Sequence, residues 1–190
     1  MKQTTVKSLM VPLDEYATVS SKATLQEALR ELEKAQAAFD QCSQSKYAHR
    51  ALLVYDADHG EIIGKISQLD VLKSLDPQYS DITSSGPLGR IATSGLSASY
   101  LQSMLEKQAL LSQSLEDLCR KAARLKVKDC MYIPAEGEFI EESDTLRMAV
   151  HQLVMGHHHS LLVLDDNNKI SGILRLVDVF QLVCTTIENM

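Results

Sequence analysis

The chain has 190 residues, 45% of them apolar and 23% charged, with no Trp. Its net charge of −6 argues against a protein that mainly grips a nucleic-acid backbone, which needs a basic face. No apolar run reaches membrane-spanning length, and Cys42, Cys119, Cys130 and Cys184 show no C-x-x-C spacing, so a cytoplasmic, reducing setting without membrane contact is expected.

Val6-Lys7-Ser8-Leu9-Met10 opens the chain, and a short extended piece around Val19 follows. Thr24-Leu25-Gln26-Glu27 reads as a capping box, with Thr24 as N-cap and Glu27 at the third helical position. Leu25, Ala28, Leu29, Leu32 and Ala35 then keep one helix face apolar. After a polar insert from Gln36 to His49, Ala51 to Tyr55 reads as a buried strand. Asp56 to Gly60 turns the chain and Glu61 to Ser67 returns, which makes a hairpin. Lys65, at an outward or cleft-facing position on this strand, is expected to be solvated rather than to contact a phosphate. A short helix follows through Leu75, and Pro77 stops it.

The stretch from Asp76 to Ser97 is rich in Ser, Gly and Pro and reads as a linker. From Ala98 to Leu125 the pattern becomes helical. Leu101, Met104, Gln108, Leu111, Leu115, Leu118, Ala122 and Leu125 form a heptad seam that has to be buried against the body or a second subunit.

The remainder replays the beginning. Val127-Lys128-Asp129-Cys130-Met131 repeats the opening segment, and Thr145-Leu146 repeats Thr24-Leu25 at the same offset. Around Ile140 lies the short extended piece, and Leu146 to Val154 is the helix, ended by Gly156. Leu161 to Leu164 and Lys169 to Leu174 form the hairpin, and Val177 to Val183 the last helix. Gly64-Lys65-Ile66-Ser67-Gln68-Leu69-Asp70 is echoed by Gly172-Ile173-Leu174-Arg175-Leu176-Val177-Asp178. The first copy carries about a dozen extra residues between helix and strand, which a loop absorbs.

These paired segments, with Leu-Leu-Val-Tyr-Asp and Leu-Leu-Val-Leu-Asp in register, resemble the CBS domain, named after cystathionine β-synthase, in tandem as a Bateman module. The resemblance covers residues 1–75 and 126–190 and leaves 76–125 as linker and inserted helix. It implies an α/β (α+β) fold in which two β-α-β-β-α repeats pack with pseudo-twofold symmetry, often as a homodimer. It also implies clefts between the repeats that take AMP, ADP, ATP or S-adenosylmethionine, with no cofactor required. In that family the aspartate accepts the ribose hydroxyls and the Ser or Thr helps hold phosphate. Two carboxylate oxygens suit a cis-diol, and a helix start suits an anion. Ser67 and Asp70 match the pattern in full. Asp178 matches in the second repeat, but Arg175 replaces the hydroxyl, and it either clamps phosphate or fills the cleft. Arg50 and His159 stand where basic residues contact phosphate in the family, and Val19 and Ile140 where walls of the adenine pocket are expected.

Ser67-x-x-Asp70 is also a capping box in its own right, and an acid in the first turn of a helix is favourable without any ligand. His157-His158-His159 is no metal centre on this spacing, because neighbours on an extended segment point to opposite faces. No nucleophile, base and orienting acid assemble, so no enzyme is expected. The expected function is a regulatory module sensing an adenosyl ligand, read by a protein partner that the sequence does not identify. The alternative is an oligomerisation or docking module with degenerate clefts, using the helix from Ala98 to Leu125.

Overall fold

The computed structural model describes residues 4–42, 50–75 and 114–190. The linker, Pro77, the insert from 43 to 49 and the seam positions Leu101, Met104, Gln108 and Leu111 lie outside them.

In the first repeat, β1 (Val11–Pro12) and β2 (Thr18–Ser20) lead to α1 (Leu25–Cys42), then β3 (Ala51–Tyr55), β4 (Ile62–Ser67) and α2 (Gln68–Lys73). α3 (Leu115–Ala122) and the single turn α4 (Val127–Cys130) precede the second repeat. That repeat comprises β5 (Phe139–Glu141), α5 (Leu146–Met155), β6 (Ser160–Leu164), β7 (Ile170–Arg175) and α6 (Leu176–Glu188). The predicted capping box starts α1: the Thr24 amide donates to Glu27 Oε2 at 2.7 Å, and the Glu27 amide donates to Thr24 Oγ1 at 3.3 Å. The last helix runs 13 residues, longer than its apolar pattern suggested.

One sheet has the order β2-β3-β4 and the other β1-β7-β6-β5. Each is built on an antiparallel hairpin with a parallel edge strand, Val19 beside Val54 and Ile140 beside Val163. Leu52 and Val54 face the helices of their repeat with Val19, Leu25, Ala28 and Leu32. Leu161 and Val163 do the same with Val6, Ile140, Ala149 and Leu153. The residues between them, Leu53 and Leu162, turn the other way and meet Tyr16 and Ile173 in a third core that joins the two sheets. A strand buried on both faces has to be apolar throughout, which explains the uninterrupted runs in β3 and β6.

The repeats exchange their opening segments. The Val6 and Lys7 amides donate to Asp144 and Glu142 carbonyls of the second repeat, at 2.9 and 3.0 Å. In mirror image, the Val127 and Lys128 amides donate to Ala23 and Ser21 of the first, at 2.9 and 3.1 Å. β1 pairs with β7, Val11 opposite Ile173, and Tyr132 bridges antiparallel to Lys65. The two glycines of the repeated motif lie under these crossings. A Cβ on Gly64 would stand 2.7 Å from the Tyr132 carbonyl oxygen, and one on Gly172 2.5 Å from that of Val11. Close backbone approach, not turn conformation, requires glycine here.

The expected helix from Ala98 to Leu125 is interrupted at Ser114, the extended N-cap of α3, and α3 ends at Ala122; beyond it the Leu125 carbonyl accepts from the Leu25 amide at 2.8 Å. That bond satisfies a free amide of the first turn of α1. Of the described seam residues, Ala122 is buried, whereas Leu115 is 66% exposed, so the body of the chain does not cover the stripe at Leu115.

Candidate functional site

β4 runs directly into α2, and Ser67 is the last residue of the strand and the N-cap of the helix. Its amide and hydroxyl both donate to Asp70 Oδ2, at 2.9 and 2.6 Å, while the Asp70 amide donates back to Ser67 Oγ at 3.4 Å. The capping-box reading of this pair is therefore realised. It uses only one carboxylate oxygen: Asp70 Oδ1 has no protein partner among the described residues. The cap and an open acceptor coexist on one side chain.

The equivalent junction, β7 into α6, is built differently. Arg175 is the N-cap but makes no side-chain cap. Its guanidinium forks onto Asp178, Nε to Oδ2 at 2.5 Å and Nη2 to Oδ1 at 2.6 Å. The two side chains are only 8% and 14% exposed. A bidentate, largely buried guanidinium–carboxylate pair is among the stronger ionic contacts a protein makes. Tyr16 lies near enough for both charges to act on it, and burial pushes its phenol up to about 12 against the lowering influence of Arg175.

Lys65 is not solvated as expected. Its side chain is 14% exposed, and Nζ donates to Glu138 Oε2 at 2.6 Å and to Ser160 Oγ at 3.3 Å. Glu138 is itself buried and accepts from the Tyr132 hydroxyl and, at 3.2 Å, from the Ala135 amide. Burial opposes ionisation of Glu138, but hydrogen bonds from Lys65 and Tyr132 outweigh it and hold its carboxyl below the usual range. The Lys65 ammonium also lies 5.2 Å from the centre of the Tyr132 ring. Burial, the Glu138 hydrogen bond and the charges of Glu138 and Asp70 push the Tyr132 phenol up to about 12, and Lys65 stands two residues before Ser67 on β4.

The other predicted residues fall into two groups. Arg50 and His159 each stand before a middle strand with side chains exposed. Their carbonyls accept from the first amides of α2 and α6, Gln68 at 3.4 Å and Leu176 at 2.9 Å. Val19 and Ile140 are 4% and 3% exposed and belong to the cores beneath the helices. Sequence reasoning took Lys65 as solvated and passed over Tyr132, Glu138 and Ser160. The signal for them was a departure from the internal repeat, since Ile173, Val11, Ala17 and Ala51 hold the equivalent positions.

The sequence profile of the CBS domain matches residues 6–77 and 127–184, more than half of the chain. No curated protein matches it. Among solved structures, the CBS-pair protein CBSX2 from Arabidopsis thaliana is similar over 100% of both chains, with 18% identity and a TM-score of 0.59. A structure of CBSX2 in complex with AMP is similar over 96% of this chain and 97% of that one, with 19% identity and a TM-score of 0.56. The CBS domain of the bacterial CNNM/CorC family Mg2+ transporter in complex with ATP is similar over 95% and 87%, with 16% identity and a TM-score of 0.58. At these identities the likeness establishes the fold.

Proposed function

The chain belongs to the CBS-domain family, and from that premise we propose that it is a regulatory, non-enzymatic module binding one adenosyl ligand per chain beside Ser67 and Asp70. The observation that carries this reading is the contrast between the two aspartates. Asp70 keeps Oδ1 open while Ser67 holds Oδ2, so the carboxylate is fixed in place and still offers an acceptor to a ribose hydroxyl. Asp178 already accepts at both oxygens from Arg175. Structures of CBSX2 with AMP and of the CNNM/CorC domain with ATP support an adenine nucleotide as the ligand class. S-adenosylmethionine is the competing choice. Arg50, whose carbonyl accepts from the Gln68 amide at 3.4 Å, stands at the junction that carries Ser67, and His159, whose carbonyl accepts from the Leu176 amide at 2.9 Å, stands at the junction that carries Arg175.

A ligand wedged between repeats that share exchanged segments and one inter-sheet core shifts their mutual angle by its differential affinity for the two arrangements. The module is proposed to be a cytoplasmic homodimer that passes this change to a protein partner. Among the described residues no helix is long and apolar enough to cross a membrane.

A thermal-shift panel of AMP, ADP, ATP and S-adenosylmethionine tests the reading. A ligand at about a hundred times its Kd adds about 2.7 kcal/mol. A rise in melting temperature with at least one of them, lost in Asp70→Asn, is the expected result; no rise with any of them refutes it.

A further inference from the structure

The Lys65 network occupies one side of the inter-repeat interface, and the pseudo-twofold axis supplies its control. Lys65 bridges to Tyr132 where Ile173 pairs with Val11. Glu138 and Ser160 stand where the other side has Ala17 and Ala51. The same exchange of segments is thus closed with four apolar or small residues on one side and with a lysine, a glutamate, a tyrosine and a serine on the other. Closing the interface does not itself require the charged set, and a buried ion pair is not generally the more stable choice. Within that set Lys65 lies on the strand that ends at Ser67 and leads to Asp70, and it reaches across the interface to Ser160, the ladder partner of Arg175.

Its donor and acceptor inventory is one-sided. Both Glu138 oxygens are engaged: Oε2 accepts from Lys65, and Oε1 from Tyr132 and Ala135. Lys65 uses two of its three N–H groups, on Glu138 and Ser160, and the third has no acceptor among the described residues. Ser160 Oγ accepts from Lys65, and its own proton has no acceptor among them either. Lys65 and Ser67 alternate with Ile66 along β4, so they share the strand face turned away from the Ile66 core. The network therefore adds spare donors, one of them cationic, beside a site whose aspartate supplies the spare acceptor. Groups that only accept, such as phosphate oxygens, complement those donors.

We propose that Lys65 and Ser160 are specificity-determining residues that select a phosphorylated adenosyl ligand over the bare nucleoside at the Ser67/Asp70 site. This rests on the reading of that site as an adenosyl site. Glu138 and Tyr132 are positioning residues that hold the ammonium in place. The repeat 2 side, with Ile173 and Ala51 in their positions, lacks this selection.

Calorimetric titration of the full chain with adenosine and with AMP tests it, on the wild type and on Lys65→Met/Glu138→Gln, which removes both charges together. The wild type is expected to prefer AMP by at least about tenfold, and the double variant by less than about threefold, with adenosine affinity unchanged. Should the double variant not melt cooperatively, the graft Lys65→Ile/Tyr132→Val/Glu138→Ala/Ser160→Ala copies the other side and takes its place. An AMP preference kept at the wild-type level in either folded variant overturns the assignment, as does a wild type without preference or failure of both variants to fold. A wild type that binds neither ligand fails the nucleotide reading itself.

Discussion

The guanidinium of Arg175 spans both carboxylate oxygens of Asp178, at 2.5 and 2.6 Å. The repeated motif, whose copies already differ in sequence at Ser67 and Arg175, thus folds into one open carboxylate and one whose two oxygens are both engaged. Replacing Arg175 with the residue of the other copy reverses this. Arg175→Ser is expected to release Asp178 and add a second binding event to a calorimetric titration with AMP. The count of sites per chain is the readout.

The exchanged segments set a second expectation. Gly64→Ala and Gly172→Ala each drive a Cβ into a carbonyl oxygen of the crossing strand, at 2.7 and 2.5 Å. Neither backbone can give way without disturbing the bonds that tie one repeat to the other. Each substitution is expected to cost about 1–3 kcal/mol, read from chemical denaturation.

Acid stability follows from Glu138. Its carboxyl titrates in the folded protein below its ordinary value of 4.5, because Lys65 and Tyr132 outweigh the effect of burial. A depressed folded value contributes stability above the unfolded value and loses it as pH falls through that value and the folded one. The melting temperature of the wild type is expected to fall more steeply below about pH 4.5 than that of Lys65→Met/Glu138→Gln. Parallel curves would show that the ion pair contributes no such term.

Leu72 on α2 and Phe180 on α6 occupy equivalent positions in the two repeats and are 58% and 60% exposed. A shared apolar surface at pseudo-symmetric positions fits pairing with a second copy. Leu72→Glu/Phe180→Glu is expected to halve the mass measured by light scattering without lowering the monomer's melting temperature, since neither side chain is buried in the chain.

Much of the fold was legible in the sequence because apolar runs, capping residues and the internal repeat act locally. Thr24 with Glu27, the Leu52 to Val54 run and the paired glycines needed no tertiary information. The exchange of opening segments was not legible: Val6 and Val127 announce that they are buried, not in which repeat. Lys65 escaped for the same reason. A lysine on a strand face is ordinarily solvated, and only the approach of Glu138 across the interface makes burial tolerable. Ser67 and Asp70 were readable by type, whereas the open oxygen that distinguishes Asp70 from Asp178 is a matter of geometry. At Leu115 the body of the chain does not cover the seam, since periodicity marks an apolar face without naming what covers it.

Calorimetric titration with AMP, run on the wild type and Asp70→Asn, tests the central claim most directly. One ligand per wild-type chain and none in Asp70→Asn is the predicted result. Two ligands per wild-type chain, or a single site that survives Asp70→Asn, contradicts it.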